Sequence, residues 1–244
     1  MPLPGKIAIV AALERELWPL VKDWQVNQLE HEGRHFKFFE NGRLVVIFGG
    51  IGAEPARRAT EAVIALFHPV LVQSVGFAGA LDSKLEVGDL VSPARVIDAG
   101  DGSAIEIHGG KGVLVSFADI ASAQQKCKLG PAYSAQAVDM EAAAVARGAQ
   151  ARGVVFSAIK VISDELSCEM PGLGRFIGSD GQFHTASFLA FAALRPWLWP
   201  RVLRLAKNNA TASKALSSHL SRFDAEEGDL AQQRSEFAAT TRRP

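Results

Sequence analysis

The run Val138-Asp139-Met140-Glu141-Ala142-Ala143-Ala144-Val145-Ala146, followed by the strand-like stretch Val154 to Ile162, admits few folds. A carboxylate enters a helix of small residues, and the apolar strand after it ends in Ser163-Asp164. Open α/β sheets bring such positions to one crevice at the strand ends, where ligands bind. Two carboxylates without a metal-ligand cluster suit acid/base work on a glycosyl bond. Taken singly, each half describes ordinary structure: a helix start, and a strand closing on a solvated aspartate.

The rest of the chain supports a sheet. Strand-like segments occur at Lys6 to Leu13, Phe36 to Glu40, Leu44 to Phe48, Val70 to Val75, Asp89 to Ile97, Gly112 to Phe117 and Val154 to Ile162. Helical patterns cover Glu14 to Lys22, Glu54 to Phe67 and Met140 to Arg152. This alternation predicts an α/β fold, a mixed central β-sheet flanked by helices. Asn41-Gly42 between two strand-like runs predicts a tight hairpin. After Asp164 comes a loop with Pro171, Gly172, Gly174, Gly178 and Gly181, then an aromatic and aliphatic stretch, Phe183 to Leu205, broken by Pro196 and Pro200. A polar helix is expected from Arg201 to about Ser221. Residues 1–222 are read as one domain. The last stretch, 223–244, is poor in large apolar residues and reads as a disordered tail, because it cannot bury enough surface to offset ordering.

Composition narrows the functional classes. The chain has 244 residues, 48% of them hydrophobic and 21% charged, enough for a full core. Lys+Arg and Asp+Glu both number 26, so there is no basic field for nucleic acid, and no nucleic-acid motif is present. Cys127 and Cys168 stand far apart, and the six histidines are scattered. Neither a disulfide framework nor a metal site is expected, and no cofactor is implied. The first apolar run leads into Glu14-Arg15-Glu16 without a cleavage region, so it reads as a buried strand rather than an export signal. No apolar run approaches the roughly 20 residues of a spanning helix. A cytoplasmic protein is expected.

Further residues are of the type a ligand site uses. Glu16 falls in the first turn of a helix just past the first strand, where a glutamate also complements the macrodipole. Gly49-Gly50-Ile51-Gly52 opens the next helix, and glycines there permit close backbone approach to a ligand. A dinucleotide fingerprint is incomplete, since Pro55 stands at the third glycine position. Gly76-Phe77-Ala78-Gly79-Ala80-Leu81, then Leu85-Glu86-Val87-Gly88-Asp89-Leu90-Val91, forms a strand, a glycine-rich turn and a return strand.

Along the chain, the motifs L-x-V-G-D-L-V, V-D-M-E-A-A-A-V-A and I-S-D resemble those of the bacterial methylthioadenosine/S-adenosylhomocysteine nucleosidases of the nucleoside phosphorylase superfamily. The resemblance covers roughly Lys6 to Asp164. It implies a three-layer phosphorylase/nucleosidase fold, a homodimer, and hydrolysis of a 5′-substituted adenine nucleoside to release adenine. By position, Glu16 would contact the attacking water. Met140 would pack on the ribose, and Glu141 would bind its hydroxyls. Asp164 would hydrogen-bond or protonate adenine at N7, oriented by Ser163. Gly52 would lie beside the ribose pocket, and Phe77, Ala78 and Gly79 would line the nucleoside site. Lys160 stands where these nucleosidases carry an arginine near the water and the glutamate; it keeps the charge but loses the bidentate fork.

Phosphorolytic members of the superfamily place an arginine and a Ser or Thr around the first glycine of the turn. Here Ser74 and Phe77 stand there, so water is the expected nucleophile. The alternatives are a phosphate-dependent phosphorylase of the same fold and a noncatalytic nucleoside-binding protein. The segment Asp98 to Ala137 is short for the family; Phe117 or Tyr133 would have to supply the aromatic that stacks on adenine. This compact middle, the Pro171 loop and Arg195-Pro196-Trp197 also resemble the hopanoid-associated phosphorylases, implicated in releasing adenine from the lipid nucleoside adenosylhopane. That second resemblance gives Phe183 to Leu205 an alternative role, peripheral contact at the inner membrane face, through apolar anchors mixed with cations. The competing expectation is a packed terminal helix.

Overall fold

The computed structural model describes residues 5–168, 172–178 and 180–240, with side chains described through residue 222. Its centre is a run of mostly apolar strands. These are β1 (Ile7–Ala11), β4 (Leu44–Phe48), β5 (Leu71–Ala80) and β11 (Val155–Asp164). Such continuous apolar runs belong to strands covered on both faces, and β1 is buried along its whole length. β1 pairs in parallel with β4 and β5, and β5 pairs in parallel with β11.

Two hairpins extend the sheet past β4. β2 (Gln25–His31) and β3 (Arg34–Asn41) are antiparallel, as are β3 and β4. The second is the hairpin expected at Asn41-Gly42, with Asn41 opposite Leu44 and Gly42 at a positive φ of 53°. Sequence reading missed β2. Its turn is Glu32-Gly33, also with positive φ at both residues, but the strand is polar and largely exposed, so no apolar pattern marks it.

On the other side the order is β5, β10 (Ala137–Asp139), β9 (Val113–Ser116), β7 (Arg95–Asp98) and β8 (Ala104–Glu106). The expected single strand Asp89 to Ile97 is two: β6 (Leu90–Val91), antiparallel to β11, and β7, parallel to β9. Pro93 lies between them and removes a ladder donor, which lets the chain change neighbours.

Helices cover both faces, as the three-layer expectation requires. α2 (Ala53–Phe67) and α4 (Ala142–Gln150) pack Ala56, Ala59, Val63, Val145 and Ala149 against Ala8, Val10, Val45 and Val72. α1 (Glu14–Val21) and α6 (Trp199–Thr240) cover the opposite face, where Leu17, Val21, Ala212, Leu216 and Leu220 meet Ile9, Val46, Ile159 and Val161. α3 (Ala123–Tyr133), unmarked in the sequence reading, is held by a capping box between Ser122 and Gln125. α5 (Thr185–Ala193) precedes α6. The expected boundary at residues 222 and 223 falls within α6, and the side chains of 223–240, residues 169–171 with Pro171, and 241–244 lie outside the described ones.

Close approach of α2 to α4 depends on Gly148, where a Cβ would lie 2.9 Å from the buried Thr60 Cγ2. Thr60 has no free rotation to give way, since its hydroxyl bonds Ala56 O at 2.8 Å. Gly148→Val is therefore expected to destabilise the protein by about 1–3 kcal/mol through overpacking. Urea unfolding should show a lower midpoint at unchanged slope.

Candidate active site

Strands β1, β5, β10 and β11 deliver their C-terminal ends to one place. Ala12, Leu13 and Glu16 follow β1; Phe77, Ala78 and Gly79 end β5; Met140 and Glu141 follow β10; Ser163 and Asp164 end β11. They line a cavity of about 330 Å³. Its outer wall comes from the C-terminal region: Leu173, Phe183, Phe188, Leu189, Val202 and Leu205.

The cavity floor carries a cluster of buried charge. Lys160 Nζ lies 2.9 Å from Asp139 Oδ2, with both side chains essentially inaccessible. Asp139 is held further by Ser116 Oγ, which donates to Oδ1 at 2.6 Å, and by Ala142 N–H, which donates to Oδ2 at 2.9 Å. The aspartate thus caps the first turn of α4 and anchors a lysine from β11. Burial alone would lower the proton affinity of Lys160, but Asp139, Glu141 and Glu16 outweigh it and raise its pKa.

Glu141 is fixed by backbone donors: Gly52 N–H at 2.8 Å to Oε1 and, more weakly, Met140 N–H at 3.4 Å to Oε2. The N-terminal glycine of α2, expected beside the ribose pocket, therefore spends its N–H on Glu141, which suits a carboxylate at a helix N-terminus. Glu16 Oε2 accepts from Ala12 N–H at 3.3 Å. It sits against Gly76, where a Cβ would come within 2.9 Å of Oε2, so any side chain at 76 would displace it. Burial, then repulsion from Glu141, pushes Glu16 up to about 7. Burial does the same to Glu141, also to about 7, against the pull of Lys160 and with the push of Asp139. Two carboxyls that titrate near neutrality in one cavity can exchange protons with a ligand there.

Asp164 stands apart from this cluster. The β5–β11 register slips between Ile162 and Asp164, so that Ile162 faces Ala78 and Asp164 faces Gly79. Such a bulge re-aims side chains, and here Ser163 and Asp164 both line the cavity. Ser163 Oγ donates to Asp164 Oδ1 at 2.8 Å. On the other oxygen sits Lys126 Nζ, an ion pair that the sequence reading did not foresee.

Most expected site residues meet here: Glu16, Glu141, Asp164, Phe77, Ala78, Gly79, Met140 and Ser163 line the cavity, and Gly52 acts through Glu141. Lys160 is a correction. It lies beneath the cavity, bonded to Asp139, and acts on Glu16 and Glu141 as a charge rather than a hydrogen-bond partner. Neither Phe117 nor Tyr133 reaches the cavity; both pack on Leu81, Val115, Leu129 and Val138. The aromatic rings on the wall are Phe77, Phe183 and Phe188. Residues missed by sequence reasoning are Asp139, Ser116 and Lys126; only Asp139, inside the quoted motif, carried any signal. Among the described residues no group of His, Cys, Asp and Glu could hold a metal ion.

A mixed-sheet α/β protein with carboxylates gathered in a cavity at its strand ends belongs to the class that binds small ligands there. A sequence model of the Phosphorylase superfamily matches residues 6–129 and 103–194. The chain belongs to that superfamily. A 5′-methylthioadenosine/S-adenosylhomocysteine nucleosidase of Staphylococcus aureus is 28% identical over 196 residues, covering 65% of this chain and 86% of that protein. The match to the enzyme of the same name from Staphylococcus haemolyticus is 36% identical but spans 37% of this chain and 41% of that protein. Among solved structures, a nucleosidase of that name from Colwellia psychrerythraea, in complex with adenine, aligns with TM-score 0.60 at 23% identity over 67% of this chain and 84% of its own. Futalosine hydrolase of Helicobacter pylori aligns with TM-score 0.62 at 22% identity over 90% and 98%. These structural likenesses establish the shared fold.

Glu16 is buried at a cost that the pH dependence of stability reveals. Its folded pKa, raised from 4.5 to about 7, favours the fold below the unfolded value, and that contribution is lost as pH rises through about 7. Glu16→Gln removes the loss. At pH 8 the variant should exceed wild type by on the order of 3 kcal/mol, a gap that narrows by pH 5. Thermal melts across pH would check this; a constant gap would contradict the shift.

Proposed function

We propose that this chain is a nucleosidase, an N-glycosyl hydrolase that cleaves a 5′-substituted adenine nucleoside and releases adenine. The observation that carries the reading is the division of carboxyls in one cavity. Glu16, buried, and Glu141, half-buried, repel each other on one side, and Asp164 stands at the end of β11. In the reaction the C1′–N9 bond breaks and its electron pair leaves with adenine. Asp164 gives a proton to N7, water bonds to C1′, and Glu16 takes the proton that water loses. Glu141 holds the ribose hydroxyls and offsets the positive charge developing on the sugar, while Met140 packs on the ring. Each proton transfer is worth roughly 10²–10⁴-fold.

Water rather than phosphate as nucleophile is supported by the walls. Ser74 is fully buried within β5 and does not line the cavity, and Phe77 offers it no hydroxyl. Among the described residues a phosphate dianion would find no paired guanidinium forks here; Arg15, the one arginine of the wall among them, lies over the Phe183 ring at 5.0 Å. The test is adenine release from methylthioadenosine, S-adenosylhomocysteine and adenosylhopane, with and without phosphate. The expected product is the free sugar at a rate independent of phosphate. Saturation by phosphate with formation of a sugar 1-phosphate would instead establish a phosphorylase.

The finer substrate reading is an apolar 5′ substituent, from a methylthio group up to a lipid such as adenosylhopane. The wall formed by Leu173, Phe183, Phe188, Leu189, Val202 and Leu205 supports it. A peripheral membrane contact follows from the same region. Leu194, Trp197 and Leu203 are 78%, 71% and 69% exposed. Between Asp180 and Asp224 the sequence has no acidic residue, whereas Arg195, Arg201, Arg204 and Lys207 are basic. Apolar side chains among cations fit an anionic bilayer surface. No helix among the described residues is long and apolar enough to cross a membrane. Wild type should co-sediment with vesicles containing phosphatidylglycerol, and Trp197→Ala with Leu203→Ala should lose that binding while melting normally. A supernatant-only result at low salt, with a dimer lost in the double variant on sedimentation equilibrium, would assign these residues to the homodimer that the family resemblance implies.

A further inference from the structure

The ion pair between Lys126 and Asp164 has no part in the reaction as written, yet it is built into the fold. Lys126 belongs to α3, far in sequence from β11, and its side chain is 2% exposed. The ammonium reaches Asp164 Oδ2 and also donates to Glu165 O at 2.8 Å. Its stem passes over Gly79, where a Cβ would lie 2.9 Å from Cε and 3.0 Å from Asp164 Oδ2. Position 79 must therefore be glycine for lysine and aspartate to meet. Burying an ammonium is expensive unless it is paired and hydrogen-bonded, and this one meets both conditions only at Asp164.

The two oxygens of Asp164 have different neighbours. Oδ2 holds Lys126, while Oδ1 accepts from Ser163 Oγ at 2.8 Å. Ser163 has a second acceptor, Ala78 O, at 3.4 Å. Oδ2 is held by an ammonium and Oδ1 by a neutral hydroxyl that has a second, weaker acceptor to turn to, so a proton bound for a base in the cavity belongs on Oδ1. We propose that Lys126 is a positioning residue for Asp164: it fixes the carboxyl from the Oδ2 side and takes up the charge left on the carboxylate when the Oδ1 proton passes to the leaving base. This rests on the reading of Asp164 as the acid. The Lys126 ammonium keeps its own protons throughout.

The test is a double-mutant cycle with methylthioadenosine as substrate. Asp164→Asn should lower kcat by roughly 10²–10⁴-fold, and Lys126→Met by at least about tenfold with KM changed less than about threefold. In the Asp164→Asn background, Lys126→Met should cost nothing more, because the group it serves is gone. That double variant also removes the half-buried carboxylate that Lys126→Met would leave without its cation, so it should fold even where Lys126→Met alone does not. Lys126→Ala opens space for added ethylammonium, which should restore turnover saturably, and only where Asp164 is present. Equal losses in both backgrounds, or wild-type kcat in Lys126→Met, would overturn the role of Lys126 while leaving Asp164 as the acid. Near-wild-type turnover in Asp164→Asn would instead sink the acid assignment itself.

Discussion

Lys160 sits where two chain segments, the β10–α4 junction and α1, bring three carboxyls together. It faces Asp139 directly and feels Glu16 and Glu141, so a single buried ammonium serves three carboxyls. Removing one partner from a buried pair costs several kcal/mol because the charge left behind cannot be solvated. The pair therefore ties β11 to the β10–α4 junction, and through Ser116 to β9. It also sets the chemistry above it. Burial, with three carboxyls facing one ammonium, pushes Glu16 and Glu141 up to about 7, so that near neutral pH each can take or give a proton.

Glycines in this region are places where side chains of other segments need room. Gly76 clears the Glu16 carboxylate, Gly79 clears the Lys126–Asp164 pair, and Gly52 turns its N–H to Glu141 with a φ of 101°. The β5–β11 pairing carries two of them and a bulge, and the bulge brings Ser163 and Asp164 to the same cavity. Backbone and side-chain chemistry are thus fitted toward the ends of two strands whose other residues are mostly apolar.

The layered α/β fold was legible because its signals are local. Apolar runs marked β1, β4, β5 and β11, and Asn41-Gly42 marked a hairpin. β2 was missed because an exposed edge strand buries no face and so shows no period. The carboxylates Glu16, Glu141 and Asp164 were legible through a motif, and each reaches the cavity. Their partners were not. Lys126 lies in a helix with weak amphipathic signal and meets Asp164 only through tertiary packing. Lys160 was placed near the right residues, but its bond to Asp139 depends on strand pairing that no local pattern encodes. For the same reason Phe117 and Tyr133 could not be told from wall aromatics before the fold positioned them in a separate cluster.

α6 has two unlike ends. Its early residues, Val202, Leu205, Ala206 and Asn209, face the cavity, whereas Ala212, Leu216 and Leu220 belong to the core over β1 and β11. The carboxyls come from sheet ends and the outer wall from residues 173–209. Substitutions in that wall can reshape what is admitted without disturbing the groups that act on it, because the helix stays anchored downstream. Floor and roof are thus separate parts, and one can be exchanged while the other is kept.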